Sequence, residues 1–466
     1  MRLAKYGIPL EKLNTHLYVV GRSGKGKSKF LEGFLWQLIQ QGQGCGLIDP
    51  HGDLANNLLK LLAFQPLSSK HPPWLSDPSN AARLIYCEPG HQDYFTPMNV
   101  LANDEAPYTV VSNVIEAFQR TWSQELAAAP QFKNVALHGL LLLIEHGLSL
   151  VELPHLFMYR DFREPLLAAS HNEDVKGFFY ERFERWGREQ AIRIESLLNK
   201  VTALTLNPSL KLMLGAAENR LNLRQFMDDG RVLIVNLGMC DHETRNLLGS
   251  LLAVQLEQAA LSRVELEEEQ RHRWYCVLDE FQRFVANEGS AQALAEMLSE
   301  ARKFGLFLCL AHQGWHQLGN VRLEGALDQA QVKVVFGSGT TTGRIVAEEL
   351  FVPDPQKVKH EAANDTAHPV YEHWLEQKEM FVQAIRTQEH RHMLLLPPDS
   401  DQTIALRTMT VPTPQIPREQ LEKLKTSLLQ RIGEKVKASS VPDSANAKVQ
   451  PMFGQRMPTA GAVIKG

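Results

Sequence analysis

A chain of 466 residues exceeds a single compact core, so more than one domain is expected. Hydrophobic residues make up 44% and charged residues 22%, the balance of an ordinary water-soluble globular protein. The formal net charge of −4 excludes a global basic field, although basic groups confined to a pore would still fit. Cys45, Cys87, Cys240, Cys276 and Cys309 form no CxxC pair, which argues against zinc and for reduced core residues. No stretch has the apolar length of a signal peptide or a transmembrane anchor. The nearest candidate, 136–150, carries His138, Glu145 and His146 and predicts a core helix. A cytoplasmic location is expected.

The first informative element is Leu17-Tyr18-Val19-Val20, a short apolar run that predicts a buried strand. It runs into Gly21-Arg22-Ser23-Gly24-Lys25-Gly26-Lys27-Ser28, which matches the phosphate-loop pattern G-x-x-x-x-G-K-[ST] at every fixed position. Residues 29–40 follow, with Phe30, Leu31, Phe34, Leu35, Leu38 and Ile39 at helical spacing. Strand, glycine loop and helix would aim several backbone N–H groups and a positive helix end at one anion. ATP is the expected ligand: Gly21 to Ser28 cradle it, Lys27 reaches the β- and γ-phosphates, and the Ser28 hydroxyl joins a Mg²⁺ shell.

Cys45 to Ile48 predicts a second buried strand, ending in Asp49-Pro50-His51-Gly52-Asp53. The carboxyl edge of an open α/β sheet is where ligands bind, so these residues are either near the nucleotide or a turn built from turn-forming residues. Leu84 to Cys87 predicts a further strand. From 107 to 217 strand-like runs give way to helical spacing, as in 110–118, 135–145 and 191–206. The arginines there are interleaved with acidic residues, which reads as a solvated mixed-charge face, and Trp122, Phe178, Phe179 and Trp186 read as packing residues.

The α/β pattern resumes with the strand Arg231–Leu237 and a long helix over about 244–269. The next apolar run, 273–278, delivers Asp279 and Glu280 at its end. ATP hydrolysis needs such a pair beside a phosphate loop: Asp279 completes the metal shell and Glu280 polarises the attacking water. A helix over 291–303 precedes the strand 306–310, which ends in Ala311-His312-Gln313. The Gln313 amide could sense the γ-phosphate or orient water. Val332 to Phe336 is the last clear central strand, followed by the Gly/Thr-rich run 337–344 with Arg344. Beyond 411, residues 421–436 predict a short basic amphipathic helix, and the polar, Pro/Gly-rich remainder predicts a disordered tail.

With these motifs together, the chain resembles the HerA/FtsK superfamily of motor ATPases, in particular conjugative coupling proteins of the TraD/TraG group and HerA-type translocases. The resemblance rests on GRSGKGKS, LIDPHGDL, VLDEFQRF and SEARKFGLFLCLAHQ, and spans roughly residues 7–398. It implies an α/β, RecA-like P-loop core with a mostly parallel sheet, split into 1–106 and 218–410 by an inserted all-α domain at 107–217. Residues 411–466 would be the basic helix and tail. It also implies a homo-hexameric ring, ATP bound between subunits and DNA threaded through the pore. Arg302, otherwise a helix C-terminal cation, matches the arginine finger by its position relative to Gln313, with Arg344 as second choice. A secretion, relaxase or nuclease partner would bind through the tail. Two rival functions fit the same residues: an ATPase energising protein export, and a nucleotide-dependent assembly switch.

Overall fold

The structure, a computed structural model, describes residues 6–64, 72–102, 105–122, 126, 131–285, 288–318, 321–357, 370–411 and 413–436. The tail expected beyond 436 lies outside the described residues.

The architecture is α/β. Its sheet is assembled from β1 (Leu17–Val20), β2 (Gly44–Asp49), β3 (Leu84–Cys87), β5 (Val232–Asn236), β6 (Trp274–Asp279), β7 (Leu306–His312), β8 (Val332–Phe336), β9 (His392–Leu396) and β10 (Ile404–Arg407). The nine strands lie in the order β10-β9-β8-β1-β7-β6-β2-β5-β3. From β8 to β3 every pairing is parallel; β9 and β10 extend the β8 side with antiparallel pairings. Every residue of the parallel strands is buried, which is why they read as unbroken apolar runs. β9 alternates buried and half-buried residues and lies beyond the last central strand, so its sequence carries a weaker signal. The small pair β4 (Tyr94–Phe95) and β11 (Glu434–Lys435) forms a separate two-stranded sheet.

Helices α1 (Lys27–Gln40) and α2 (Asp53–Ala63) follow β1 and β2 and bury Leu31, Leu35, Leu58 and Leu62 in the same core as Val19, Leu47 and Val277. Between β4 and β5 the described elements are helical, including α3 (Pro107–Thr121), α4 (Phe132–Glu145) and α5 (Gln190–Thr205). Phe178, Phe179, Phe183 and Trp186 pack edge-on and tilted against one another there, as packing residues rather than a stacking platform. Helix α3 packs against α6 (His242–Leu261) and α7 (Glu288–Glu300) of the core.

Two expectations change. Helix α6 ends at Leu261, short of 269, because Arg263 turns inward: it is fully buried, pairs with Asp228 (2.9 Å) and donates to the carbonyls of Phe304 and His272. The C-terminal helix runs over Arg418–Ile432 and is not a loose appendage. Leu421, Leu428 and Leu429 join the central core, and the buried Lys425 ammonium donates to Glu88 (3.1 Å), which stands just past the end of β3. A lysine that reads as a surface charge is thus an internal ion pair. The five cysteines are all buried and free, and no helix among the described residues is long and apolar enough to cross a membrane.

Candidate active site

β1, β7 and β6 are adjacent and parallel, in registers that pair Val20 with His312 and Ala311 with Asp279. The residues that follow each strand therefore emerge side by side: Gly21 of the phosphate loop, Gln313, and the Asp279-Glu280 pair. The loop is held from both sides, by the Gly21 N–H donating to the His312 carbonyl (3.2 Å) and the Arg22 N–H to the Gly337 carbonyl (3.0 Å). Two of its glycines are required sterically. A Cβ at Gly21 would overlap Phe336, and Gly26 combines φ of +112° with an approach that would bring a Cβ to 2.9 Å from the Arg391 Cα. Gly26 is also the N-cap of α1 and no side chain caps that end, so the first N–H groups face the loop.

The turn between α9 (Trp374–Thr387) and β9, which sequence reasoning missed, also grips the loop. Lys25 donates its ammonium to the Gln388 carbonyl (2.7 Å), the Arg391 N–H donates to the Lys25 carbonyl (2.8 Å), and His390 Nδ1 donates to the Gly24 carbonyl (2.6 Å). Only pairing of β9 with β8 brings this turn into place.

At the centre, Lys27, Asp279 and Glu280 are 6%, 6% and 4% exposed. The Lys27 ammonium donates to Glu280 Oε1 at 3.0 Å and lies 3.9 Å from Asp279 Oδ1. Gln313 donates its amide to the same Oε1 (2.9 Å), and Gln282 donates to Oε2 (2.6 Å). Glu280 adopts φ +47°, ψ +46°, a left-handed conformation unusual for a residue with a side chain and typical of functional turns. Burial pushes its carboxyl up, but the Lys27 charge and the bonds from Gln282, Gln313 and Lys27 outweigh it, leaving Glu280 below the usual carboxylate range. Asp279 goes the other way, raised to about 6, chiefly by burial and further by Asp49 and Glu280, against the pull of Lys27. A buried carboxylate so short of positive charge suits a cation, and one carboxylate with one hydroxyl is the modest protein share that Mg²⁺ takes beside a phosphate.

Asp49 holds a turn beside the carboxylate pair: its carboxylate accepts from the N–H groups of His51 and Ala55 (2.9 Å each), and β2 pairs directly with β6. Arg302 is not brought to the cluster. It is exposed in the turn before β7, whereas Gln313 follows the other end, roughly 20 Å away at the rise of a strand. Arg344 is exposed on α8 (Thr340–Leu350), the helix after β8.

Residues 145–330 match the family model described as the type IV secretion-system coupling protein DNA-binding domain. The fold matches bacterial conjugative coupling protein TrwBdeltaN70 in an unbound form, with TM-score 0.53, 17% identity and 88% of each chain covered. The plasmid coupling protein TrwB in complex with ADP and Mg²⁺ matches at 0.52 and 16%, over 89% of this chain and 88% of that one. VirB4 of Thermoanaerobacter pseudethanolicus matches at 0.52 and 13%, over 85% and 90%. This is the fold of the TrwB coupling protein and of VirB4. No curated protein matches the chain in sequence. Within the coupling-protein fold, the matched segment begins in α4 and takes in β6, β7 and the Asp279-Glu280-Gln313 cluster, but not the phosphate loop.

Proposed function

We propose that the chain is an ATPase that moves DNA through a ring of its own copies. The observation that carries the reading is the convergence of Lys27, Asp279, Glu280 and Gln313 on the phosphate-loop edge of one sheet. ATP would lie along Gly21–Ser28 with Lys27 on its terminal phosphates. Ser28 and Asp279 would hold Mg²⁺, which would supply positive charge against the charge that builds on the phosphates. Glu280 takes a proton from the attacking water as that oxygen bonds to the γ-phosphorus. The bond to the β-phosphate oxygen breaks and ADP leaves with its electron pair. Gln313, already on Glu280, reports the γ-phosphate. The family model's description supports DNA as the cargo, and the helical segment 107–217 is assigned as a domain inserted into the core. Arg302, remote from its own site, serves a neighbouring subunit's nucleotide, which requires a ring.

The test is the ATPase rate with and without double- and single-stranded DNA at low ionic strength, beside Glu280→Gln. Stimulation of several-fold by either DNA, with turnover in the variant reduced by about a hundredfold or more and ATP still bound, is expected. A robust rate indifferent to DNA would move the assignment to protein export. A very slow rate with ATP-dependent oligomers would move it to an assembly switch.

A further inference from the structure

Gln282 stands two residues beyond Glu280 in a short 3-10 turn, Phe281–Arg283, and its amide nitrogen donates to Glu280 Oε2 at 2.6 Å. That orientation is dictated chemically, since the amide oxygen turned to a carboxylate would set two acceptors against each other. The division of labour on Glu280 is the informative point. Oε1 is shared by Lys27 and Gln313, the two groups that an incoming triphosphate would recruit, while Oε2 is held by Gln282 alone among the described residues. Gln282 Oε1, meanwhile, is buried and has no hydrogen-bond partner among the described residues. The bond to Glu280 is what this residue contributes to the site, and the left-handed backbone of Glu280 brings the two side chains together.

We infer that Gln282 is the positioning residue for the catalytic carboxylate, the contact that keeps Glu280 aimed after Lys27 and Gln313 have moved to the nucleotide. The inference rests on the hydrolytic reading above. Three donors hold Glu280. With Lys27 and Gln313 drawn to the nucleotide, Gln282 stays on Oε2 and so leaves Oε1 to face the water.

The experiment compares wild type with Gln282→Met, similar in length but unable to donate, and Gln282→Glu, which places a second acceptor against Oε2. With folding checked by thermal melting, Gln282→Met is expected to lower kcat about tenfold while the KM for ATP and the Kd for a non-hydrolysable analogue change less than about twofold. Gln282→Glu is expected to lower kcat further, again with KM and Kd little changed. A merely structural glutamine would not separate kcat from KM and Kd in this way. A Gln282→Met chain equal to an active wild type in kcat overturns the inference alone. A wild type that binds ATP without hydrolysing it overturns the hydrolytic reading, and the inference falls with it.

Discussion

Lys27 is the residue on which the charge balance of the site turns, since it is the one cation within 4 Å of both carboxylates among the described residues. Lys27→Ala would remove the phosphate ligand and leave Asp279 and Glu280 facing an incoming polyanion. ATP binding should weaken by about a hundredfold or more and turnover should be lost, read by fluorescent-nucleotide titration and by phosphate release. Asp279 makes a prediction of opposite sign for stability. Its carboxyl is raised to about 6 in the folded chain against 3.8 for an ordinary aspartate, so the folded state is the one that prefers the proton. Its charge therefore costs stability above about pH 6, and that cost disappears as pH falls toward 4. Asp279→Asn should raise the nucleotide-free chain's stability at pH 8 by on the order of 2 kcal/mol, with the gain gone near pH 4, while abolishing Mg²⁺-dependent turnover. Denaturant melts at the two pH values check it; an equal gain at both would refute the assignment.

At the scale of elements, the site is built by strands that share an edge and by two late segments that lock them. The α9–β9 turn grips the phosphate loop through Lys25, Gly24 and Gly26. The C-terminal helix over Arg418–Ile432, labelled α10, is tied to the sheet through Lys425 and Glu88, both buried. Asn236 also donates to Glu88 (3.0 Å), so the pair is part of a network at the end of β3 and β5. Removing one partner of a buried pair strands the other charge. Lys425→Met should therefore destabilise the chain by about 3–5 kcal/mol, and adding Glu88→Gln should recover much of that loss. Urea midpoints of the single and double variants measure the difference. These two locks were not legible in the sequence. Lys425 sits in a run of charges that reads as a solvated helix face, and β9 and the edge strand β10 are half-exposed and near two prolines, with little apolar continuity to announce them.

For the whole molecule, the position of Arg302 carries the argument for assembly. An exposed arginine at the sheet edge opposite its own phosphate loop can act on a nucleotide only from a neighbouring copy. Arg302→Ala should leave ATP affinity within about twofold and reduce turnover by about a thousandfold. Mixing it with Glu280→Gln should restore part of the activity, since some interfaces then pair an intact Arg302 with an intact Glu280. Mixed assemblies that stay inactive, or an Arg302→Ala chain with normal turnover, would point to Arg344 or to a site complete in one chain. The sequence by itself determined the phosphate loop, the Asp279-Glu280 pair, the Gln313 strand tip and the mostly parallel sheet. Each is a local signal, a glycine spacing or an unbroken apolar run forced by burial on both faces. Only the tertiary structure decided the rest. Strand order placed β7 between β1 and β6 and so drew Gln313 onto Glu280, and it set β2 against β6, so that Asp49 holds a turn of its own beside Asp279. It also brought the 388–391 turn to the site, because the chain returns there through long-range contacts that no local pattern encodes.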